Sequence, residues 1–571
     1  MRLSKLFFKT FKEPPADADV PSHKLLERAG YIKRLSRGHY TYTPFMWRVI
    51  NKLKKIVSDE LEKEGSQEVF MPQLHPKEIW EASGRWEGYK AEKLTYLVKD
   101  RDDNEYCLAP THEEAMAHLV KNWISSYKQL PQNLYQITNK FRDEIRPRFG
   151  LMRCKEFLMK DAYSFSANTK QMEEQYQKMR RAYQRILDRL ELDYVIVQAD
   201  AGKIGGSKSQ SEEFQILADI GEDTILICED FAFNSEKAPC TISLYDYSAT
   251  EEPLEKVKTP KICTIDALKE FTKAPIELLM KIIVYKLTHK DSEELVAVGI
   301  RGDRDINPIK LSNHFKALDI ELAGEDEMKK AGIKKGFIGP VNCPVPFVAD
   351  YSCKPMTNFI CGANEWDAHF KNANWKRDCE EPVFSDFCQA KDGDLCPLVP
   401  EGRYKERRGI EVGHIFSFGE KYSLALEAFF QNEDGKPKPM LMGSYGIGIG
   451  RLAQAAVEQN YDDKGIIWPK ELVPYTLLLT AVNIKDDDQR EACEALYKKF
   501  LKQGVNVLFD DRKERLGFKL KDSDLVGIPY KMIIGKGYLA DQTLEVEPRV
   551  GEKILLPESE LTSWSKEHLL D

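Results

Sequence analysis

The chain has 571 residues, of which 42% are hydrophobic and 31% are charged, a composition typical of folded globular proteins and too apolar for a disordered chain. Its 84 basic and 92 acidic residues give a formal net charge of −8, which argues against a generally basic protein that coats nucleic acid but leaves room for a local basic patch. The length predicts roughly three to five domains. Since no long apolar run and no signal-peptide core occur, we expect no membrane span and a cytoplasmic protein.

The first part of the chain alternates long helices with short β-rich segments. Apolar residues at 3,4,3 spacing predict a helix over 45–64, and a similar stripe predicts a second helix over 172–192, followed by a strand at 194–198. Between the helices, 133–138 and 156–159 are rich in strand-forming residues. This order predicts a largely antiparallel sheet with flanking helices.

The composition of the sequence changes near residue 225, where cysteines become frequent, and the earlier composition returns near residue 409. Nine of the twelve cysteines fall between these points, without a C-x-x-C pair, which favours reduced thiols over a zinc site. Strands are predicted at 281–285 and 295–300. We therefore predict a domain inserted at 225–408 into a host domain formed by 1–224 and 409–470.

The C-terminal part, 471–571, reads as a separate domain. Strands at 476–480, 505–509 and 531–535 surround an amphipathic helix at 488–502. Strands that alternate with helices predict a small α/β domain with a mostly parallel sheet.

The most informative segment is 140–161, where five cations lie within fourteen positions: Arg142, Arg146, Arg148, Arg153 and Lys155. We predict two β-arms around a turn at 147–150, with Arg142 and Glu144 on one face of the sheet. Phe157 and Asp161 return on the second arm. A guanidinium beside a carboxylate and an aromatic ring suits a nucleotide triphosphate, and the alternative is a solvated charged hairpin.

Two further segments carry polar or glycine patterns. Thr111 and Glu113 offer a hydroxyl and a carboxylate to one ammonium group, although Thr111 with Glu114 also fits a helix N-cap. A glycine-rich run at 443–450 precedes Arg451, which suits close approach of a phosphate ligand or close packing. A dinucleotide fingerprint does not fit, because no βαβ unit with a following acidic residue surrounds the run.

Taken together and in this order, the segments resemble motifs 2 and 3 of the class II aminoacyl-tRNA synthetases, and Glu68 to Pro72 resembles motif 1. Longer stretches resemble bacterial-type prolyl-tRNA synthetases over about residues 1–565, namely 110–114, 141–149, 156–165, 409–414 and 510–515. The resemblance implies an α+β multidomain protein. Its parts are a class II antiparallel-sheet catalytic domain, an inserted α/β editing domain and a C-terminal α/β anticodon-binding domain.

The resemblance implies ATP-dependent attachment of L-proline to tRNA(Pro) through a prolyl-adenylate. Arg142 would hold the α-phosphate, Glu144 would contact the adenine side or orient Arg142, and Phe157 and Arg451 would take the two faces of adenine. Arg153 would reach the outer phosphates or the tRNA end. The remaining implied ATP-site residues are Gly448 and Gly450.

The implied proline pocket consists of Thr111, Glu113 and His414. Magnesium would accompany ATP, with Glu411 as a candidate ligand. Ser444 departs from the family pattern, because many relatives carry cysteine there. A homodimer through the motif 1 helix is also implied.

The insertion resembles a domain that hydrolyses mischarged alanyl-tRNA(Pro). The residues that match this family are Lys281, Gly336, Pro340, Asp350 and His369. By itself, a lysine on an apolar strand is equally well explained as an edge-strand residue that discourages aggregation.

The C-terminal domain would recognise the anticodon, with Asp510 as a further possible base reader. The implied contacts are Asp511, Arg512, Lys513, Glu514 and Lys519. A solvated loop is the alternative.

Two other functions compete with this interpretation. An inactive RNA-binding paralogue would be expected to lose Arg142, Glu144 or Arg451, all of which are present. A sibling ligase for threonine or histidine is the other alternative, but a threonine enzyme would need zinc ligands, and no suitable set occurs in the host domain.

Overall fold

The computed structural model describes residues 1–199, 210–240, 247, 249–289, 292–317 and 319–570. They form two compact units. The first unit comprises Met1–Val195, Ser209–Gly221 and Gly409–Asp571, and the second comprises Ile196–Lys208 and Glu222–Arg408. The domain limits expected after 224, 408 and 470 stay predictions. Among the described residues, no helix is both long and apolar enough to cross a bilayer, and the cytoplasmic location stays a prediction.

A sheet of mainly antiparallel strands forms the centre of the first unit. Six of its strands lie in the order Ser211–Leu217, Lys405–Gly419, Leu441–Gly448, Glu156–Ser166, Gln132–Phe141 and Gln67–Glu68. Each neighbouring pair is antiparallel except the last, which is parallel. The predicted largely antiparallel sheet is confirmed, with longer strands than the sequence indicated.

Helices pack against this sheet and bury their apolar stripes. The two long predicted helices are Pro44–Lys63 and Thr169–Arg189. Three shorter helices accompany them, Pro21–Arg28, Glu113–Val120 and Ile449–Gln459. Under helix Thr169–Arg189, the buried Lys160 donates hydrogen bonds to the hydroxyl of Tyr183 at 2.5 Å and the carbonyl of Tyr445 at 3.0 Å. This polar contact satisfies the ammonium, whose pKa burial lowers well below its usual value.

Two further sheets lie within the described part of the second unit. The larger has the strand order Asp319–Leu322, Met280–Thr288, Glu293–Arg301, Phe347–Asp350 and Val383–Ser385, and the smaller has the order Glu255–Lys258, Ala368–Ala373 and Phe359–Gly362. Its longer helices are Ile265–Thr272 and Pro308–Phe315. On strand Met280–Thr288, Met280 packs with Phe359, whereas Tyr285 and Leu287 pack with Leu311. Both faces of this strand are therefore covered, which explains its nearly continuous apolar sequence.

The C-terminal part of the first unit has a five-stranded sheet. Its order is Val507–Asp510, Leu477–Ala481, Tyr530–Ile534, Thr543–Pro548 and Ile554–Pro557. The first two pairings are parallel and the last two are antiparallel. The parallel arrangement is confirmed for the three predicted strands, but it is wrong for the second half of the sheet, whose strands the sequence did not indicate. The connection from Ile534 to Thr543 contains only the short helix Lys536–Asp541, and a parallel crossover needs about a dozen residues or more. The longer helices are Asp487–Lys502, Leu516–Val526 and Leu561–His568.

Candidate active site

A row of residues crosses five strands of the central sheet. Gln136 is paired with Asp161 on the next strand, and Asp161 with Gly446. Gly446 is paired with His414, and His414 with Glu213 on the fifth strand. Residues paired directly across strands point to the same face. A methyl group added at Gly446 would meet only side-chain atoms of one methionine, at 3.8 Å. The floor of the site is therefore open between Asp161 and His414.

Beside this floor, the carboxylate of Glu113 is held by three donors. The hydroxyl of Thr111 donates to its Oε2 at 2.6 Å, and the hydroxyl of Ser444 donates to its Oε1 at 3.1 Å. Arg85 Nη1 lies 3.3 Å from Glu113 Oε2 and 3.0 Å from Glu114 Oε1. The predicted pair of Thr111 and Glu113 is thus brought together, with a fixed orientation of the carboxylate.

The helix-cap interpretation of Thr111 is wrong. The helix begins at Glu113, its N-cap residue is His112, and the cap makes no side-chain hydrogen bond. The hydroxyl of Thr111 instead bonds the carboxylate of Glu113. The hydroxyl of Thr111 thus orients a carboxylate and does not cap the helix.

Arg85 is a site residue that the sequence interpretation missed. Its guanidinium carbon lies 4.9 Å from the ring centre of Trp80, 4.7 Å from that of Tyr89 and 5.6 Å from that of Tyr422. Burial raises the pKa of the neighbouring Glu114, and the charge of Arg85 opposes this shift. A single arginine in a loop gives no periodic signal, so only the tertiary structure reveals its role.

Below the floor lies a buried network of charged and aromatic groups. Lys140 Nζ lies 2.7 Å from Asp161 Oδ1, and the rings of His112 and His75 meet edge to face at 4.5 Å. Burial lowers the pKa of His75 to about 4 and that of His112 to about 2. Both imidazoles are therefore neutral near pH 7, and the ion pair of Lys140 and Asp161 carries the charge here.

Arg142 follows the strand that ends at Phe141. Its Nε and Nη2 donate to the carbonyl of Pro110 at 3.4 Å, and its guanidinium carbon lies 5.2 Å from the ring centre of Phe157. The predicted proximity of Arg142 and Phe157 is therefore found in the structure. Both lie at the same end of the sheet.

The expectation that Arg142 and Glu144 share a strand face is wrong. The amide of Glu144 donates to the carbonyl of Arg142 at 2.8 Å, which turns the chain away from the sheet. The carboxylate of Glu144 pairs with Arg153 Nε at 2.9 Å. Glu144 thus contacts Arg153, in a turn whose consecutive charged residues favour solvent over the pleated sheet.

Arg451 lies at the start of helix Ile449–Gln459, after its N-cap Gly448. Its Nε donates to the carbonyl of Met152 and its Nη1 to the carbonyl of Glu411, both at 2.8 Å. At Gly450, an added methyl group would come within 2.6 Å of a tyrosine hydroxyl. Glycine at position 450 therefore allows close packing at this helix start.

Glu411 and His414 share one face because a β-bulge lies between them. The register shifts opposite Phe214 and Gln215, so two residues three apart point the same way. His414 Nδ1 lies 3.0 Å from Glu411 Oε1, and its ring stacks on Phe416 at 3.8 Å. Burial by itself raises the pKa of Glu411. The hydrogen bond from His414 and the charges of Arg451 and Arg142 outweigh this effect and lower the pKa to about 2. Glu411 is therefore ionised near pH 7.

The described residues include one group with the spacing of a metal site. Ligand atoms of Glu213, Glu411 and His414 all lie within 4.8 Å of one another. Carboxylate oxygens suit magnesium, which usually keeps several waters and takes one or two carboxylates together with substrate phosphates. The donor set, with Glu411 ionised, fits that mode of binding.

The predicted editing residues divide into two groups in the second unit. His369 Nδ1 lies 2.6 Å from the hydroxyl of Thr259, and its ring contacts that of Phe337 at 5.5 Å, in the loop from Gly336 to Pro340. A methyl group at Gly339 would come within 1.7 Å of a backbone carbonyl, so this loop packs tightly on its neighbour. Ile338 of the same loop packs beside Val284 of the five-stranded sheet.

Lys281 and Asp350 lie on the opposite face of that sheet. Lys281 alternates with Met280 and Ile282, and its Nζ pairs with Asp305 at 3.0 Å. Asp350 is buried and accepts hydrogen bonds from the amides of Ser352 and Phe387, both at 2.8 Å. The sequence resemblance grouped all five residues, but the structure joins His369 with the loop and not with these two.

The predicted anticodon residues also differ in their surroundings. Lys519 is 1% exposed and donates to the hydroxyl of Thr480 at 3.2 Å and the carbonyl of Asp510 at 3.1 Å. Arg512 bonds the carboxylates of Asp510 and Asp522 at 2.7 and 2.8 Å. The expected RNA contacts of Lys519 and of the fully buried Asp510 are therefore wrong, because these groups stabilise the domain interior. Arg512 is committed to ion pairs in the same way.

The N-terminal segment covers part of this region. The amide and hydroxyl of Ser4 donate to Asp511 at 2.9 and 2.7 Å, and the hydroxyl of Thr10 donates to a carboxylate at 2.7 Å. The amide of Phe509 donates to the carbonyl of Met1 at 2.8 Å, beside the edge strand. Of the predicted contacts, Lys513 and Glu514 remain exposed.

Comparisons with known proteins agree with this architecture. Residues 96–460 match the family "tRNA synthetase class II core domain (G, H, P, S and T)", and residues 477–568 match the family "Anticodon binding domain". A proline--tRNA ligase of Chlamydia abortus is 49% identical over 570 residues, covering 100% of this chain and 98% of the relative. A proline--tRNA ligase of Persephonella marina is 45% identical, covering 96% of each chain.

The chain belongs to the proline--tRNA ligase family. The expected class II core and anticodon-binding domain are confirmed, and a sibling ligase for threonine or histidine is set aside. Among solved structures, the prolyl-tRNA synthetase of Cryptosporidium parvum, complexed with L-proline and AMP, matches with a TM-score of 0.57 at 13% identity, covering 97% of this chain and 76% of that one. At this identity the likeness supports the fold alone.

Proposed function

We propose that this chain charges tRNA(Pro) with L-proline in two steps, at the site around Glu113. The observation that carries the proposal is the carboxylate of Glu113, which Thr111, Ser444 and Arg85 fix beside the open floor at Gly446. A fixed anion next to a small cavity suits the secondary ammonium of proline. The family membership and the relatives named proline--tRNA ligase support the same substrate.

In the first step, the carboxylate of proline attacks the α-phosphate of ATP and pyrophosphate leaves. Arg142 would stabilise the charge that builds on the α-phosphate, while Phe157 and Arg451 hold the adenine and Arg153 approaches the outer phosphates. Gly448 and Gly450 would let the nucleotide approach the helix start. In the second step, a ribose hydroxyl at the tRNA 3′ end attacks the adenylate carbonyl and AMP leaves. No covalent bond to the protein is needed.

Magnesium would enter with ATP, and Glu411 is the residue we propose as its protein ligand, with Glu213 and His414 close by. The ion would neutralise charge on the phosphates. His414, which Ser211 also contacts at 2.8 Å, would line the proline pocket.

The activation step is tested by Arg142→Ala. We expect proline-dependent pyrophosphate exchange to fall about 10²–10³-fold, the usual effect of removing one group that stabilises developing charge. Arg146→Ala is the matched control, since it removes a neighbouring arginine from the exposed turn. Exchange near the wild-type rate in Arg142→Ala would contradict the assignment, provided that circular dichroism shows a folded variant.

For the second unit, we propose hydrolytic editing of mischarged alanyl-tRNA(Pro). A proline pocket excludes the smaller alanine poorly, because a missing methylene is worth only about 1–3 kcal/mol. The loop from Gly336 to Pro340 and His369 support a small site, and burial lowers the pKa of His369 to about 4, which keeps its imidazole neutral. Water would be the nucleophile. Lys281 and Asp350 would act from the other sheet face or serve the fold.

Two variants separate these possibilities. If the pocket lies at the loop, His369→Ala should reduce hydrolysis of alanyl-tRNA(Pro) at least as strongly as Lys281→Ala, while pyrophosphate exchange stays unchanged in both. If only Lys281→Ala loses hydrolysis or begins to attack prolyl-tRNA, the site lies on the face of Lys281. Unchanged hydrolysis in both variants would contradict the proposed editing residues altogether.

We also propose a homodimer that uses the motif 1 region. Within the segment Glu68 to Pro72, Phe70 is 86% exposed, and elsewhere in the chain Trp123 is 76% exposed. Large exposed aromatic side chains are typical of protein interfaces. Sedimentation of wild type and Phe70→Asp tests this, since the charge should shift the chain towards monomer.

A further inference from the structure

Two cysteines at opposite ends of the second unit's sequence meet in its fold. The thiol of Cys240 donates a hydrogen bond to the carbonyl of Cys388 at 3.3 Å, and the thiol of Cys388 donates to the carbonyl of Gln389 at 3.5 Å. The two residues are 148 positions apart. All strands of the five-stranded sheet lie between them in the chain.

Two basic side chains flank this cysteine pair. Arg304 Nε donates to the sulfur of Cys388 at 3.1 Å, while its terminal nitrogens bond Asp394 at 2.7 and 2.5 Å. Lys310 Nζ lies 3.9 Å from the sulfur of Cys240 and donates to the carbonyl of Cys388 at 2.8 Å. The aspartate therefore orients the guanidinium so that its remaining N–H is directed at the sulfur. A donor of this kind stabilises a thiolate.

We propose that Cys240 and Cys388 form a reversible disulfide when the protein meets a hydroperoxide. The Cys388 thiolate attacks the outer oxygen of the peroxide and forms a sulfenic acid, while the other oxygen leaves as water or an alcohol after taking a proton. The sulfur of Cys240 then attacks the sulfenic sulfur, the S–O bond breaks, and a second water leaves. Two thiols are oxidised and one peroxide is reduced, so electrons balance.

The two sulfurs differ in their polar neighbours. Cys240 and Arg304 beside it lower the pKa of Cys388, whereas the neighbouring Cys388 and burial raise that of Cys240. Cys388 is buried and Cys240 is half-buried. Cys388 is thus the reacting sulfur and Cys240 the resolving one. The disulfide would close a long loop around the five-stranded sheet and raise the resistance of this unit to unfolding.

A second cysteine pair provides an internal comparison. Cys228 and Cys396 lie in one apolar cluster, and burial raises the pKa of Cys228. If the closeness of two cysteines were sufficient, peroxide would oxidise both pairs at the same rate. The proposal requires that the pair beside Arg304 is oxidised faster.

The test treats the reduced full chain with hydrogen peroxide, blocks remaining thiols under denaturing conditions and maps peptides by mass spectrometry. We expect a peptide pair joined through Cys240 and Cys388 with the loss of two hydrogen atoms, reversed by a thiol reductant. Arg304→Gln should slow its formation at least about tenfold, the effect of one pKa unit on the thiolate fraction. Oxidation of the exposed Cys263 alone, or equal oxidation of both pairs, would overturn the proposal.

A second variant keeps the proposal testable if Arg304→Gln does not fold. In Cys240→Ser the resolving sulfur is absent, so peroxide should leave Cys388 as a sulfenic acid that dimedone labels. The matched control is Cys263→Ser, which should form the disulfide at the wild-type rate. Failure of dimedone to label Cys388 in folded Cys240→Ser would contradict the assigned order of reaction.

Discussion

The hydroxyl of Ser444 donates a hydrogen bond to Oε1 of Glu113 over 3.1 Å. The bond joins the glycine-rich strand to the segment of Thr111, two parts of the chain 331 positions apart. Because Thr111 already bonds the other oxygen of this carboxylate, Ser444 fixes its rotation. The serine thus has a role in the proposed proline pocket that needs a donor but no thiol.

Removing this donor should weaken proline activation. We expect Ser444→Ala to raise the KM for proline about 5–30-fold, corresponding to about 1–2 kcal/mol for a hydrogen bond to a charged group. Pyrophosphate exchange at varied proline and varied ATP gives both KM values. Ser444→Cys, a weaker donor of similar shape, should fall between wild type and alanine. An unchanged KM for proline in Ser444→Ala would contradict this role.

Arg85 should be needed in its guanidinium form. One arginine contacts the carboxylates of both Glu113 and Glu114, and a lysine keeps the charge but not the fork that reaches both. We expect Arg85→Lys to lower kcat/KM for proline at least about tenfold, with little change in the KM for ATP.

The matched control for this change is Arg180→Lys, whose arginine pairs with Glu212 at 3.0 Å and is 31% exposed. It should leave kcat/KM unchanged. Equal losses for proline and ATP in Arg85→Lys would instead indicate a general structural role, as would a large fall in its unfolding midpoint.

In the C-terminal part, different residues should affect tRNA charging and the stability of the fold. Arg512→Ala should lower the free energy of unfolding by about 2–3 kcal/mol, since it removes hydrogen bonds to the carboxylates of Asp510 and Asp522. Lys513→Ala, at an exposed position, should leave unfolding unchanged but weaken tRNA charging without reducing pyrophosphate exchange. Urea titration and charging assays measure both. Normal charging by Lys513→Ala would remove this residue from the proposed tRNA contacts.

The buried histidine His75 should make the protein sensitive to acid. Its pKa is about 4 in the folded protein, against about 6.5 in an unfolded chain. As pH falls below 6.5 the unfolded state takes up a proton that the folded state refuses, so stability decreases until about pH 4, by at most about 3 kcal/mol.

Urea unfolding across this pH range should therefore have a shallower slope in His75→Gln, whose amide oxygen can still accept the hydrogen bond that Trp80 donates at 3.3 Å. The exposed His118 supplies the control, and His118→Gln should keep the wild-type slope. Identical slopes in His75→Gln and wild type would show that His75 does not cause the acid sensitivity.

Much of the fold follows from local patterns in the sequence. The helices Pro44–Lys63 and Thr169–Arg189 and the strand Tyr194–Gln198 appear within a few residues of their predicted limits. Their apolar spacing matches the period of the helix or strand, so local geometry is sufficient to predict them. Thr111 and Glu113 are neighbours in sequence, and their contact was accessible for the same reason.

Only the tertiary structure decides which distant groups meet and which charges stay available. Arg85, Ser444 and Asp161 join the site through loops and strand register, and none carries a periodic signal. Lys519 and Arg512 look like free cations in the sequence, yet burial and ion pairs commit them to the domain. Likewise, the strand period alone cannot tell that Lys281 and His369 lie on different sides of a sheet. Sequence specifies local conformation, whereas desolvation and pairing of charges depend on neighbours that the folded chain alone brings into contact.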